Sequence, residues 1–156
     1  MRDVVAKARV AGITQFAFGD LFLEEVRAYR IRQLAGSGVE PIFPIWTTPD
    51  DTHELARQML RTGLRATLTC VDPRVLDSAL AGRSFDASLL DELPPIIDPC
   101  GKRGEFHTFC CAGPMFRSEI CVVLGETVIR DGFCFADLRA EEGERPSTPD
   151  EAKAAL

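Results

Sequence analysis

The stretch "DPCGKRGEFHTF", residues 98–109, holds the densest set of chemically capable side chains in the sequence. Gly101 and Gly104 bracket Lys102 and Arg103, and Glu105, His107 and Thr108 follow at once. Glycines let the backbone turn so that several N–H groups point one way and form a concavity for an anion. The two cations add charge-assisted donors. Gly101, Arg103 and Gly104 are therefore anion-binding candidates. In a strand, Glu105 and His107 share one face, and Phe106 and Thr108 the other. A carboxylate beside an imidazole is an acid/base pair, since histidine titrates near neutrality. The same spacing also fits a glycine-flanked β-turn leading into an ordinary strand with a polar outer face.

Asp20 and Asp72 each directly follow an expected strand, where an aspartate either caps the next helix or meets a ligand. His53 falls in the first turn of an expected helix and reads as a solvated surface residue. The Phe and Leu side chains at 16, 18, 21, 22 and 23 read as core. Six cysteines occur, at 70, 100, 110, 111, 121 and 134, with no C-x-x-C pair and no metal-ligand spacing. Within "TFCCAG" and "EICVVLG" they read as small buried hydrophobes, and neither a disulfide framework nor a metal site is expected.

The elements that must position these groups follow from pattern. Val4, Val5, Ala8 and Ala11 recur at helical spacing ahead of Gly12. "ITQFAF" (13–18) reads as a buried strand, and a helix follows with Phe22, Val26 and Tyr29 on one stripe. "EPIFPIW" (40–46) is a second strand with prolines at its margins. A helix follows it, marked by Pro49, an Asp51-to-Glu54 capping box and a terminal Gly63. "RATLTCV" (65–71) is a third strand. Helices alternating with strands predict a parallel sheet, with ligands beyond the strands' carboxyl ends at 18–20, 45–46 and 70–72. From 73 onward the pattern changes. Two short helices broken at Gly82 precede an antiparallel set of strands, with turns at Gly113-Pro114, Gly125-Glu126 and Asp131-Gly132. The fold class is thus α/β, a partial Rossmann-like sheet over 1–72 and a small α+β domain over 73–140, with a flexible tail at 141–156.

The chain has 156 residues, 46% of them hydrophobic and 27% charged, which suits a globular protein with a core. Its net charge of −6 argues against a module that grips a nucleic-acid backbone. No apolar run approaches the roughly 20 residues of a spanning helix, so no membrane partner is expected. Asp3 and Lys7 interrupt the apolar pattern of the N-terminus, which excludes a secretory signal there and makes a cytoplasmic location the expectation.

"FGDLFLEEVRAYR", "GVEPIFPIW", "TCVDPRVLDSALAGRSFD" and "DPCGKRGEFHTF…GPMF" together resemble the diphthine–ammonia ligase family, within the adenine nucleotide alpha-hydrolase (PP-loop ATPase, or HUP) superfamily. The resemblance covers about residue 1 to 120, and "GEFHT" is similar to the version of bacterial members. It implies a Rossmann-like ATP-binding domain joined to a smaller one. The implied chemistry is ATP-dependent (Mg2+) activation of a carboxylate as an adenylate, which ammonia then attacks to give an amide. It places Glu105 and Thr108 on the family's most characteristic second-domain positions, with His107 shared with the bacterial version. It also sets Gly19 and Asp20 at the turn beside the nucleotide, and Gly82 and Arg83 in a second-domain element that adds Arg83 to the substrate-side candidates.

Two carboxylates of the family pattern are replaced, by Lys102 and Ala112, and the Ser-Gly-Gly-Lys-Asp-Ser phosphate-binding loop occurs nowhere in the sequence. The expectation is therefore the carboxy-terminal portion of such a ligase, inactive alone. The alternatives are a non-catalytic module that binds a partner or itself through an exposed sheet edge, one half of a split ATP-binding enzyme, or a longer protein whose start codon is misplaced.

Overall fold

In a computed structural model, residues 2–141 are described; beyond Glu141, the predicted tail lies outside the described residues. The helical spacing at the amino end forms α1 (Arg2–Val10), which buries Val5 and Ala8. A short strand, β1 (Gln15–Ala17), leads to α2 (Glu24–Leu34) and then to β2 (Glu40–Ile42). β1 and β2 pair in parallel, in register from Gln15↔Glu40 to Ala17↔Ile42. Val5, Leu34 and Val39 form the local core, with Phe16 and Phe18 packed against it. Glu24 and Glu25 open α2 and Arg32 lies in its last turn, each matching the helix dipole. A 3-10 turn at Pro49–Asp51 leads into α3 (Thr52–Arg61).

β3 (Arg65–Val71) forms where the sequence places a strand, but not in the sheet expected for it. It pairs antiparallel with β4 (Phe106–Ala112) and with β6 (Phe133–Ala140), and β6 pairs antiparallel with β5 (Val122–Arg130). The strand order is β4-β3-β6-β5, so the parallel sheet has two strands and β3 belongs to the four-stranded one. The physical reason is visible in β3 itself. Ala66, Leu68 and Cys70 are buried, whereas Arg65, Thr67 and Thr69 are not. Such alternation suits an antiparallel sheet with one wetter face, whereas strands in parallel sheets are buried on both faces.

The short helix α4 (Ala87–Glu92) carries an Asp86 cap, whose side chain accepts the Leu89 N–H at 2.8 Å. Leu68 and Leu89 are fully buried, and the rings of Phe85 and Phe106 lie 6.4 Å apart in the same core. Ahead of α4, residues 82–85 run beside β3, with Gly82 N–H on Leu68 O and Phe85 N–H on Ala66 O. The expected turn at Asp131-Gly132 is present, both residues having positive φ (51° and 82°), as a tight hairpin requires. The turn expected at Gly125-Glu126 is not. There β5 continues through a bulge, with both residues opposite Asp137. A Cβ at position 125 would meet Asp137 Oδ2 at 2.7 Å, so only glycine fits without displacement.

Two compact units result, the chain up to Ala56 with Asp98–Lys102, and Arg57–Ile97 with the residues from Arg103 onward. Among the described residues no helix is long and apolar enough to cross a membrane. Cys70, Cys111 and Cys134 are buried as expected of small hydrophobes, Cys100 and Cys110 are half-buried and Cys121 is exposed. Gly82 has φ +88°, and an added Cβ would meet Leu124 Cδ1 at 2.7 Å. Gly82→Ala is therefore expected to lower stability by about 1–2 kcal/mol, chiefly from the left-handed backbone, since the Leu124 tip can move. Urea unfolding followed by circular dichroism checks this; an unchanged midpoint would contradict it.

Candidate functional site

The glycine-bracketed loop does turn its N–H groups inward, and an anion sits among them. That anion is the chain's own Asp98. Its carboxylate accepts from the N–H of Cys100 at 3.1 Å and of Lys102 at 2.9 Å, while its carbonyl accepts from Gly101 N–H at 2.8 Å. Gly101 takes a left-handed φ of 62° to close the loop. Asp98 is buried, and sequence reasoning passed over it because it precedes the glycines that drew attention. The Cys100 thiol donates to Thr52 O at 3.6 Å, and burial, then the Asp98 charge, pushes it up to about 12. It stays a thiol at neutral pH.

The loop presents Lys102 to Asp20, with Nζ 3.4 Å from Oδ1. Asp20 is buried at the carboxyl end of β1 and also receives Arg30 Nε from α2, at 3.3 Å. A buried carboxylate needs such partners to offset lost hydration. A glutamate at 102, as in the resembling family, would instead set two carboxylates together. Gly19 beside it is exposed, has no positive φ, and has only Ile45 near a would-be Cβ, at 4.0 Å. Arg30 also lies over the Phe18 ring at 4.9 Å. Nearby in sequence, Arg27 lies over Trp46 at 4.6 Å and Phe43 at 5.4 Å, and its Nε is shielded and unpartnered among the described residues. Cations and aromatic faces thus gather on the residues that follow β1 and β2. The sequence marked those strand ends but not the arginines, which lie on α2.

In the other unit, β3 and β4 end side by side, with Val71 opposite Phe106 and Cys70 opposite His107. Two buried acids extend from that shared end. Asp72 donates its N–H to Glu105 O at 2.9 Å. Arg74 holds the Asp72 carboxylate through Nη2 at 2.6 Å, Nε at 2.8 Å and its own N–H at 3.0 Å. The side-chain hydrogen bonds from Arg74, then its N–H, keep Asp72 below the usual carboxylate range. The Glu105 carboxylate accepts Arg103 N–H at 2.9 Å.

Glu105 and His107 do not share an environment, since Glu105 is buried and His107 and Thr108 are exposed along β4. Glu105 precedes the first residue of β4, where the strand's two-residue period does not yet apply. Gly104 has φ +91°. Arg83 is engaged by Glu92, through Nη1 and, at 2.7 Å, Nη2, and by Ser88 at 3.1 Å. Below the same helix a groove of about 560 Å³ is lined by Leu76, Leu80, Leu89, Glu92 and Leu93 among others. Among the described residues no group of three or more His, Cys, Asp or Glu could hold a metal ion.

The fold and these clusters define a mixed α/β chain with charged groups at two strand ends. Residues 51–141 match the model of the diphthamide synthase C-terminal domain. The match covers more than half of the chain, which belongs to that family. No curated protein matches it.

Two outcomes are expected. The Arg83 hydrogen bonds, then Ser88, push Glu92 down to about 2. Because the folded value is depressed, this pair stabilises fully above the unfolded glutamate value of about 4.3 and loses its contribution as pH falls through about 2. Glu92→Gln should flatten the stability–pH curve across that window and leave the neutral region nearly level. Lys102→Met should cost about 1–2 kcal/mol, because Arg30 still compensates Asp20 in part. Thermal unfolding measures it, and an unchanged midpoint would show that the pair holds nothing.

Proposed function

We propose that this chain is the acceptor-side part of an ATP-dependent amide ligase of the diphthine–ammonia ligase type. The observation that carries the reading is the pair of buried acids, Asp72 and Glu105, joined at the common end of β3 and β4 inside the matched segment. Arg74 keeps Asp72 ionised, and the Arg103 N–H orients Glu105. Glu105 orients the acceptor and draws the incoming amine's N–H. His107 and Thr108, exposed on the adjoining strand, serve proton transfer as the amine gives up a proton on forming the C–N bond.

The residues after β1 and β2 fit an adenine nucleotide. Arg27 combines a shielded, unpartnered Nε with two aromatic faces, and Arg30 and Lys102 converge on Asp20. Asp20 then acts through those two cations, with Gly19 beside it. When bound, ATP with Mg2+ would supply the energy to activate the acceptor carboxylate. The phosphate-binding loop of the resembling family is not in this sequence, so turnover requires that loop from a further segment, in the same chain or another. Positioning and electrostatics supply most of the rate in such transfers, and neither is complete without it.

Reconstitution with a Ser-Gly-Gly-Lys-Asp-Ser segment, with candidate carboxylate acceptors supplied, tests the reading through release of pyrophosphate and AMP from ATP that depends on both acceptor and ammonia. Glu105→Gln is expected to lower that rate by about 10²–10⁴-fold, with Mg-ATP quenching of Trp46 fluorescence retained. The same rate in the Glu105→Gln variant would sink the assignment. The sequence has one tryptophan, so the quench reports on the nucleotide side alone.

A further inference from the structure

β5 is an outer strand of the four-stranded sheet, and its nine residues form the longest strand among those described. β6 occupies one edge, and among the described residues nothing pairs with the other. Val123, Leu124, Val128 and Ile129 are 50, 51, 48 and 74% exposed along it. Open apolar edges recruit another strand unless they are blunted by proline, lysine or a bulge. β5 contains neither residue, and its bulge at Gly125-Glu126 leaves 127–130 regularly paired with β6. The strands of the parallel sheet, at three residues each, offer no comparable template.

The hairpin determines which groups face outward. A two-residue turn at Asp131-Gly132 makes Arg130↔Phe133 a hydrogen-bonded pair, and alternation makes Val128↔Phe135 the next. The N–H and C=O of Thr127 and Ile129 therefore point to the open edge. A second copy brought in antiparallel about a two-fold axis at Val128 sets Thr127 opposite Ile129, so both exchange hydrogen bonds, twice by symmetry. The same register sets Glu126 opposite Arg130, also twice. Centring on Thr127 or Ile129 would leave the arginine opposite an apolar side chain, and centring on Glu126 would set that carboxylate against its copy. Glu126 has no ion pair among the described residues. The Arg130 side chain is 70% exposed, rests over the Phe135 ring at 4.8 Å and, among the described residues, has an ion pair only with Asp131, at 4.0 Å.

We propose that β5 is a self-association edge, through which two copies of this chain pair antiparallel over residues 126–130 and join their four-stranded sheets into one. The occupant is a second copy because the edge complements itself in charge and hydrogen-bond direction in one register. The proposal is independent of the ligase reading.

Sedimentation equilibrium on the whole chain, in reductant because Cys121 is exposed, tests it between about 10 µM and about 1 mM, the range for a small contact. The wild type should show a concentration-dependent monomer–dimer equilibrium. Glu126→Arg or Arg130→Glu should weaken it at least about tenfold by setting like charges opposite each other, with circular dichroism unchanged. The double variant Glu126→Arg/Arg130→Glu restores opposite charges and should restore the dimer. A wild type monomeric throughout, single variants that dimerise as before, or a double variant that stays monomeric would each overturn the proposal. If the single variants unfold, Ile129→Pro replaces them. It removes an outward N–H and no bond to β6, so a folded variant that still dimerises would overturn the proposal equally.

Discussion

A carboxylate taken out of water needs donors close at hand, and around Asp98 that need shapes the loop. The aspartate draws its own chain around it, accepting the N–H groups two and four residues on. Gly101 supplies the left-handed residue that the tight path requires. The folded loop carries Lys102 to Asp20, eighty-two residues away in the chain. Asp20 takes Arg30 as well, and Arg30 stacks on Phe18 beside β1. A short parallel pair of strands, with three residues in each, has little ladder of its own. Charge pairing at its carboxyl end links it to α2 and to the loop.

The antiparallel sheet rests on a different economy. β3 is central to it, with β4 along one edge, and with residues 82–85 and β6 sharing the other. Its buried side chains, Ala66, Leu68, Cys70 and Val71, belong to the core that also holds Leu89 and Phe106. Where β3 and β4 end, Asp72 and Glu105 remain buried next to each other. Each is satisfied locally, Asp72 by Arg74 and Glu105 by the Arg103 N–H. An arrangement that buries two acids at the end of a ladder costs desolvation that an apolar pair would not. That cost is a reason to look for function at this strand end, with the exposed His107 and Thr108 of β4 beside it.

Pattern read the local structure well and the pairing less well. β3 has the boundaries that "RATLTCV" implies, because a β-branched, alternating run between turn residues is a local property. Its partners do not follow from the helix–strand rhythm, which implies a parallel sheet, whereas the alternation of its buried residues suits the antiparallel one it joins. The Asp131-Gly132 turn was legible from residue type, whereas Gly125 looked like a second turn. A glycine tolerated for its conformation and one required by a close neighbour are the same letter, and only Asp137 separates the two cases. In the site, the glycines of 101–104 mark a tight loop, but residue type alone does not say which anion its N–H groups meet; the fold supplies Asp98, three residues upstream of Gly101.

By itself the sequence determined the α/β class, the positions of most helices and strands, the hairpin turn and the resemblance that residues 51–141 bear out as family membership. These depend on residue type and short-range period, which a chain carries wherever it goes. The tertiary structure decided which charges meet. Lys102 became the partner of Asp20, Arg83 that of Glu92, and Glu105 was buried while His107 stayed in water. A charge's role depends on its distance to other charges and to solvent, and those distances are set by chain segments that the linear order keeps apart.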